Sequence, residues 1–403
     1  MNILYITPCV PYPPNKGEKI RAFHQIRYLA REHAIHLVCL MNEKEETGDV
    51  KALEEYCASV AAVYRDRRTA RLLAAFALLA GNPFSVVSYY SWGLEQKITQ
   101  KLRSGKFDLI FIFSSAMAEC VRHVSAIPKV MDFVDVDSEL WRLYAEYSPF
   151  PFSWIYRLEA ERLARYEEEV ARAFDHSIFV SGQEADLFRR RISDRPVSVI
   201  PNGVSLNYFA PAGDGFLPSG PPVVVFTGTM DYFPNVDAVQ YFCRHIFPLV
   251  RKILPEVHFY IVGRSPTRLV RKLGREPQVT VTGSVPDIRP YLARAGVMVA
   301  PFRIARGIQN KILEAMAFGV PVVGTSLAFQ GLEETEVAGV QVADDPKEFA
   351  REVLALLTDQ RWRLQCTLQA QGYVQRCHRW QDQGIRLNRL LQEIIYRPSA
   401  QGK

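Results

Sequence analysis

The chain lacks the features that mark several classes of protein. Its seven cysteines are scattered through 403 residues without a C-x-x-C pair, which argues against a disulfide framework or a structural zinc site and fits a reducing compartment. No apolar run approaches the roughly 18 residues that cross a bilayer. No basic run carries interleaved aromatic residues, so nucleic-acid binding is not indicated. These absences favour a soluble, cytoplasmic globular protein.

Length and charge narrow the interpretation further. A chain of 403 residues is too long for one ordinary core, which predicts two domains. The net charge is +6, and the first 210 residues hold 26 basic and 26 acidic residues, so the whole excess lies in the second half. The excess is either ordinary surface charge or the trace of an anion-binding site in that half. The chain begins directly with the apolar segment Ile3–Ile6, so no signal peptide is expected.

Strand-like apolar segments alternate with helical patterns along both halves, which predicts two doubly wound parallel sheets of the α/β class. The predicted strands are Ile3–Ile6, His36–Leu40, Leu109–Phe113, Lys129–Phe133, His176–Val180 and Val197–Ile200, then Val223–Phe226, His258–Val262, Val279–Thr282, Val297–Ala300 and Val320–Val323.

A stretch rich in proline and glycine separates the two halves, and we interpret it as a linker. The predicted domains are 1–210 and 223–380, joined by the linker 211–222 and followed by a tail, 381–403. Within the tail a helix is expected over Ile385–Tyr396, after a break at Gly384. It either crosses back onto the first domain, as we predict, or stays on the second.

The most informative stretch runs from Ala300 to Val323 (APFRIARGIQNKILEAMAFGVPVV). A strand ends at Ala300, a glycine-containing loop follows, and a helix is expected to begin near 308–310. Gly319 ends this helix at the position where a left-handed residue is needed. A loop that leads into a helix N-terminus offers N–H groups and a positive dipole end to an anion, so this loop is a predicted phosphate site.

Charged side chains in the same stretch suit a nucleotide diphosphate. Arg303, Arg306 and Lys311 could add charge-assisted hydrogen bonds to the phosphates. Glu314 lies one turn further along the helix, and its carboxylate can accept from two neighbouring hydroxyls such as those of a ribose. The alternative for Glu314 is a surface acid, which its apolar neighbours disfavour.

Several segments resemble glycosyltransferase family 4, in the same order and over nearly the whole chain. The resemblance is carried by Ile200–Phe209 (IPNGVSLNYF), Phe226–Met230 (FTGTM), Ile261–Arg264 (IVGR), Val281–Asp287 (VTGSVPD) and Asn310–Val323 (NKILEAMAFGVPVV). It implies a GT-B fold, in which two Rossmann-like domains face a central cleft. It also implies retaining transfer of a sugar from a nucleotide diphosphate sugar to a saccharide or lipid-linked acceptor, without a metal or other cofactor.

The residues of the Ala300–Val323 stretch and the resemblance together predict a set of site residues. Asp135, Arg306 and Lys311 would be catalytic, and the donor would lie against Gly17, Gly228, Gly263, Arg264, Arg303, Gly307, Ile308, Gln309, Asn310 and Glu314.

Three further segments indicate a narrower group. Met131–Ser138 (MDFVDVDS), Asp231–Asp237 (DYFPNVD) and Ile304–Lys311 (IARGIQNK) resemble the sugar transferases associated with exosortase and PEP-CTERM systems. Such transferases are usually found with exopolysaccharide systems, so the resemblance implies a role in exopolysaccharide biosynthesis.

The chain departs from the family pattern at two places. Arg306 stands where the family has a glutamate that contacts the transferred sugar, eight positions before Glu314. The family's Arg/Lys pair after the first strand of the second domain is missing, since Met230–Asn235 holds no basic residue. We therefore expect Arg303, Arg306 and Lys311 to neutralise the diphosphate.

Asp135-Val-Asp137 resembles the metal-binding D-x-D of GT-A enzymes. That fold does not predict a second round of α/β alternation after a linker, so no metal site is expected here. Asp135 is instead expected to touch the acceptor hydroxyl or the donor sugar. The structural alternative is that Asp137 or Ser138 caps the following helix.

Residues 65–80 (RDRRTARLLAAFALLA) begin with a stretch that contains four arginines and continue as an apolar segment with helical propensity. This segment is either a core helix with a solvated start or an interfacial helix that lies on an anionic membrane surface.

Two other functions compete with sugar transfer. A GT-B-like nucleotide-sugar epimerase would share the fold but needs dedicated acid and base residues, for which no convincing set is found. A non-catalytic nucleotide-sugar-binding protein is favoured only by the missing first glutamate. Turnover assays with candidate donors separate the three.

Overall fold

The computed structural model describes residues 1–42, 46–210, 220–332 and 339–396. Contacts divide the chain into two compact units. The first comprises Met1–Pro201 with the described residues from Gln381 onward, and the second is Asn202–Trp380. The first unit thus ends before the predicted boundary at residue 210, and 211–219 of the predicted linker lie outside the described residues.

The first unit is built around a seven-stranded parallel sheet in the order β3-β2-β1-β4-β5-β6-β7. Its elements up to the last strand are β1 (Asn2–Thr7), α1 (Gly17–Leu29), β2 (Ala34–Met41), α2 (Thr47–Leu53), β3 (Ser59–Tyr64), α3 (Arg67–Ala80), α4 (Phe84–Val87), α5 (Trp92–Ser104), β4 (Leu109–Phe113), β5 (Lys129–Val134), α6 (Asp137–Glu146), α7 (Phe152–Ala173), β6 (His176–Phe179), α8 (Gly182–Arg189) and β7 (Val197–Val199).

The second unit contains a six-stranded parallel sheet in the order β10-β9-β8-β11-β12-β13. Its elements are β8 (Val223–Thr227), α9 (Phe233–Tyr241), α10 (Phe247–Ile253), β9 (His258–Val262), α11 (Arg268–Leu273), β10 (Val279–Gly283), α12 (Arg289–Arg294), β11 (Val297–Ala300), α13 (Asn310–Phe318), β12 (Val322–Gly324), α14 (Ser326–Phe329), β13 (Val340–Val342), α15 (Pro346–Thr358) and α16 (Gln360–Cys377). The two doubly wound parallel sheets are as predicted from the alternation.

The last helix, α17 (Trp380–Tyr396), packs on the first unit, as predicted. Its residues Leu387 and Leu391 belong to the first unit's core. The predicted break at Gly384 is wrong, because the helix runs through this residue. A Cβ at Gly384 would lie 2.2 Å from the Tyr28 ring, so the glycine is needed for close packing and does not end a helix.

A buried ion pair ties α1 to the middle of the first sheet. Arg21 donates to both carboxylate oxygens of Asp132, from Nε at 2.8 Å and from an Nη at 3.1 Å. Gln25 donates to the same carboxylate at 2.6 Å, and Arg21 also donates to the Ile200 carbonyl at 2.8 Å. Since both ions are excluded from water, the removal of either charge leaves the other uncompensated.

We expect Asp132→Asn to lower the free energy of unfolding of the first unit by about 3–5 kcal/mol, because it leaves the Arg21 guanidinium buried without its counter-charge. Hydrogen exchange of the β1 and β5 amides measures this locally. The matched control is Asp186→Asn, which breaks the exposed pair with Arg189 and should cost less than about 1 kcal/mol. Equal losses in the two variants would contradict the importance of the buried pair.

Candidate functional site in the second unit

The second sheet has a switch point at its centre. The chain runs from β8 to β9 and β10 on one side, then returns to lay β11, β12 and β13 on the other. In open α/β sheets, ligands bind outside the carboxyl ends of the strands at such a point. The loops that follow β8, β9 and β11 all end at this edge, and they carry the residues predicted to hold a donor.

The loop after β11 leads into α13 with a tightly packed backbone. Gly307 has a φ of 58°, and a Cβ on Gly331 would lie 2.2 Å from the Gly307 carbonyl oxygen. The first residue of α13 is Asn310, and Gln309 before it makes no side-chain cap. Gly319 ends α13 with a φ of 91°, as predicted. The helix therefore presents an N-terminus without a side-chain cap at the carboxyl edge of the sheet.

Two glycines allow the loops after β8 and β9 to approach each other closely. A Cβ on Gly263 would lie 1.7 Å from the Gly228 carbonyl oxygen, so no other residue fits there without displacing the backbone. A Cβ on Gly228 would lie 2.8 Å from Asn235 Nδ2 and 3.3 Å from Lys311 Nζ. The Met230 N–H donates to the Arg264 carbonyl at 2.8 Å and joins the same two loops. These residues form a floor beside Lys311.

Lys311 points its ammonium group at this floor. Its Nζ donates to Asn235 Oδ1 at 2.5 Å, and Asn235 Nδ2 in turn donates to the Thr229 carbonyl at 2.9 Å. The Nζ also lies 5.1 Å from the centre of the Phe226 ring and 4.8 Å from that of Phe302. The position is thus fixed by an amide and two aromatic rings.

Burial changes the titration of Lys311 and of Glu314. Desolvation lowers the pKa of Lys311 to about 7, and the attraction of Glu314 opposes this shift. Desolvation raises the pKa of Glu314 to about 7, and Lys311 opposes that shift in turn. The two residues are three positions apart on α13, so they share a face of the helix. This face carries two ionisable groups whose charge a bound ligand would readily alter.

The other two predicted cations are held differently from Lys311. The Arg303 guanidinium makes two hydrogen bonds to the Asp237 carboxylate, one of them from Nε at 3.0 Å, and lies 4.8 Å from the Tyr241 ring centre. Its charge is therefore already balanced within the unit. Arg306 is half-buried, and its carbonyl accepts from Gln309 Nε2 at 3.0 Å.

The start of α13 is also tied to the beginning of the unit. Asn310 Oδ1 accepts from Asn202 Nδ2 at 3.0 Å, and the buried Ile308 lies in the loop immediately before the helix. The Asn202 carbonyl is hydrogen-bonded to the His378 ring at 2.8 Å. Asn202 thus links the start of α13 to the segment that precedes α17.

Three functional candidates were missed in the sequence: Asn235, Asp237 and Asn202. Two of them, Asn235 and Asp237, lie in the DYFPNVD segment, which contains no basic residue. The sequence of this segment did contain a signal. Where the family's basic pair is missing, the amide of Asn235 can accept a hydrogen bond from a cation on another element, here Lys311.

In the first unit, Asp135 follows a strained strand end. Val134, the last residue of β5, has a φ of 69°, and Ser114, just after the neighbouring β4, has a φ of 76°. Such values are rare for residues other than glycine and cluster at functional sites. Asp135 is half-buried beside them, and Gly17 begins α1 beyond the end of β1. Asp135 and Gly17 thus lie at the carboxyl edge of the first sheet, as the residues around Lys311 lie at the carboxyl edge of the second.

The structural alternative for Asp137 and Ser138, a side-chain cap on α6, is not found. The helix begins at Asp137, and neither Asp137 nor Ser138 occupies the capping position. Glu167 accepts instead from the Ser138 N–H at 3.0 Å and from its hydroxyl at 2.5 Å, and Glu184 accepts from the Val136 N–H at 2.7 Å. Two carboxylates from later helices satisfy the N-terminus, where negative charge is favourable. Burial and these carboxylates raise the pKa of Asp137 well above its usual value.

Comparisons with known proteins agree with this arrangement. Residues 17–208 match the model of Glycosyltransferase Family 4, and residues 221–359 match that of Glycosyl transferases group 1. An uncharacterized 44.6 kDa protein in the cps region of Klebsiella pneumoniae is 19% identical over 380 residues, which cover 87% of this chain and 90% of that protein.

Solved structures share the fold at low sequence identity. Sucrose-phosphate synthase from Thermosynechococcus elongatus superposes with a TM-score of 0.73 at 17% identity, over 98% of this chain and 99% of that one. HepE of Anabaena, solved in complex with UDP-glucose, superposes with a TM-score of 0.68 at 15% identity, over 98% of this chain and 100% of that one.

The fold and the matched families define a class: the chain is a glycosyltransferase with a two-domain GT-B α/β fold. Within that class, its first half is similar to family 4 and its second half to the group 1 transferases.

We expect Lys311 to react with acetic anhydride half-maximally near pH 7, because only the neutral amine is nucleophilic and burial lowers its pKa to about 7. Asn235→Asp should move this midpoint upward, since a carboxylate beside Nζ favours the ammonium form. Competitive labelling against Nα-acetyllysine in the same tube, read by mass spectrometry, measures both midpoints. A midpoint near the ordinary value of about 10.4 would show that the site is not desolvated.

Proposed function

We propose that the protein transfers a hexose from a nucleotide diphosphate sugar, with retention of configuration and without a metal ion. The observation that carries the proposal is the placement of Lys311 Nζ, which Asn235 holds beside Gly228 at the carboxyl edge of the second sheet. The same helix carries Glu314 one turn further along. An anionic phosphate and a hydroxylated ribose suit these two groups.

The donor is proposed to bind along α13. Its diphosphate would lie between the N-terminus of this helix and Lys311, where N–H groups and an ammonium favour negative charge. Glu314 would accept hydrogen bonds from the ribose hydroxyls. The HepE structures, which contain UDP, UDP with glucose, or UDP-glucose, support a nucleotide at this kind of fold.

Catalysis would come mainly from stabilisation of the leaving diphosphate, on which charge accumulates in the transition state. Lys311 is the cation best placed for this, because its hydrogen-bond partner is a neutral amide. Arg306 would assist from the loop, whereas Arg303 already balances Asp237. Bound phosphate would raise the pKa of Lys311 above 7 and keep it charged. Asp135 is proposed to contact the acceptor hydroxyl or the donor sugar.

The acceptor is proposed to be a saccharide or a lipid-linked saccharide in exopolysaccharide biosynthesis. The resemblance to exosortase-associated transferases and the similarity to a protein of the Klebsiella pneumoniae cps region both support this role. An epimerase or a non-catalytic binding protein would use the same nucleotide site without an acceptor, so the fate of the sugar distinguishes the three functions.

The test combines nucleotide binding with turnover over a panel of nucleotide sugars. We expect Glu314→Ala to weaken nucleotide binding by about tenfold or more, as for the loss of a hydrogen bond to a charged group. Lys311→Met should lower kcat by about 100-fold or more while changing nucleoside monophosphate affinity much less. Arg303→Gln should cost less turnover than Lys311→Met, because its charge is paired with Asp237.

Lys347→Met is the matched control, since it removes a lysine at the start of α15 in the same unit. It should leave binding and turnover unchanged. Unchanged nucleotide affinity in Glu314→Ala would remove this residue from the site. Epimerisation of the donor without an acceptor, or tight binding without any turnover, would establish one of the competing functions.

Excess chelator is expected to leave turnover unchanged, because Lys311 and a helix N-terminus take the place of a divalent cation. Activity measured with chelator, and with chelator saturated by calcium as the control, tests this. A loss that manganese or magnesium restores would contradict the mechanism and support a metal site at Asp135 and Asp137.

A further inference from the structure

The outward face of α3 is apolar. Leu72, Phe76 and Leu79 are 65, 69 and 85% exposed, and they follow one another at spacings of four and three residues. Ala70 and Ala77, on the opposite side, are buried. Ala70 and Ala77 thus face the unit while Leu72, Phe76 and Leu79 face away, which excludes the interpretation of α3 as a core helix.

The charge of this helix has one sign. Three arginines lie in its first turns, Arg67, Arg68 and Arg71, and the sequence from Arg67 to Ala80 contains no acidic residue. Asp66 precedes the helix, and its carboxylate is taken up in capping, since it accepts from the Arg68 and Thr69 N–H groups. Arg65 is turned inward, where it donates to the Ser88 carbonyl at 2.9 Å. The exposed apolar face therefore adjoins a cationic end.

A second exposed apolar segment lies at the start of α7. Phe150 is 82% exposed, Phe152 and Trp154 are also exposed, and no acidic residue occurs between Ser148 and Leu158. Arg162 of α7 donates to the Leu78 carbonyl at 2.9 Å and so holds the C-terminal end of α3 against this helix. Trp154 lies about 12 Å along α7 from that contact, at 1.5 Å per residue.

We propose that α3, with Leu72, Phe76 and Leu79, docks on an anionic phospholipid bilayer, and that the aromatic start of α7 adds to the contact. Aliphatic and aromatic side chains would enter the headgroup region while the exposed Arg68 binds a lipid phosphate. The surface belongs to the first unit alone and does not depend on the proposed donor site. Among the described residues no helix is long and apolar enough to cross a membrane, so docking would be peripheral.

The choice of lipid over a second copy of this chain rests on charge. A second copy of this chain would bring another α3 that contains no acidic residue, so it offers no counter-charge to the arginines. An anionic bilayer presents the opposite charge over a wide, flat area, and the three apolar side chains of α3 are spaced for a flat surface along one helix face.

The experiment is sedimentation of the full chain with vesicles of phosphatidylcholine, or of phosphatidylcholine and phosphatidylglycerol at seven to three. We expect binding to the anionic vesicles to be at least about tenfold stronger, and to weaken when salt is raised to about 0.5 M. Leu72→Gln/Phe76→Gln/Leu79→Gln should reduce binding to the anionic vesicles at least about tenfold. Arg68→Glu should reduce the preference for anionic lipid.

The matched control is Leu364→Gln/Leu368→Gln, which replaces two exposed leucines on α16 of the second unit and should not change vesicle binding. Because the triple variant alters exposed side chains, its circular dichroism and thermal unfolding should match those of the parent chain. Equal binding to neutral and anionic vesicles, or full binding by the triple variant, would overturn the proposal. So would a dimer in sedimentation velocity that the triple variant dissociates, since a second copy would then cover this face.

Discussion

The ammonium of Lys311 can lie at the carboxyl edge of the second sheet because Gly228 and Gly263 have no side chains. Any Cβ at Gly263 would overlap the Gly228 carbonyl, and one at Gly228 would press on Asn235 and approach Lys311 Nζ. The same absence of side chains brings the loops after β8 and β9 together and leaves Asn235 as the hydrogen-bond partner of the lysine. Low solvation then makes the ammonium costly without an anion nearby, which is the condition that a phosphate would relieve.

Most of the fold could be predicted from apolar runs, since strands buried on both faces read as continuous Val, Ile and Leu segments. The two strands that were missed are β3 and β13, which lie at sheet edges. The SVAAVY sequence of β3 contains two alanines, and β13 has three residues, so neither gives a distinct apolar run. Gly384 was interpreted as a helix break because sequence does not show that an aromatic ring, Tyr28, needs the space of its missing side chain.

The sequence predicted the helix and the charged residues of the site, but not the hydrogen-bond partners of those residues. Asn310–Val323 indicated the helix, its glycine end and the charged residues along it, all of which are local features. That Arg303 binds Asp237 while Lys311 binds Asn235 depends on contacts across more than 60 residues. The start of α6 also depends on distant residues: Ser138 is a good local cap, but the carboxyl groups of Glu167 and Glu184 on later helices take that place.

Helix α3 shows that hydrophobic periodicity cannot by itself tell which surface an apolar helix face packs against. An apolar stripe along a helix has the same spacing whether it faces a core or a bilayer, so the sequence left both open. The structure excludes the core position, because Leu72, Phe76 and Leu79 are exposed while Ala70 and Ala77 are buried. The position of this helix also fits a lipid-linked acceptor: α3 follows the carboxyl end of β3, and Asp135 follows β5 at the same edge, four strands away. That separation is about 19 Å at 4.8 Å per strand. The strand that leads into α3 and the strand that leads into Asp135 thus open at one edge of the same sheet, as the proposed docking of a lipid-linked acceptor requires.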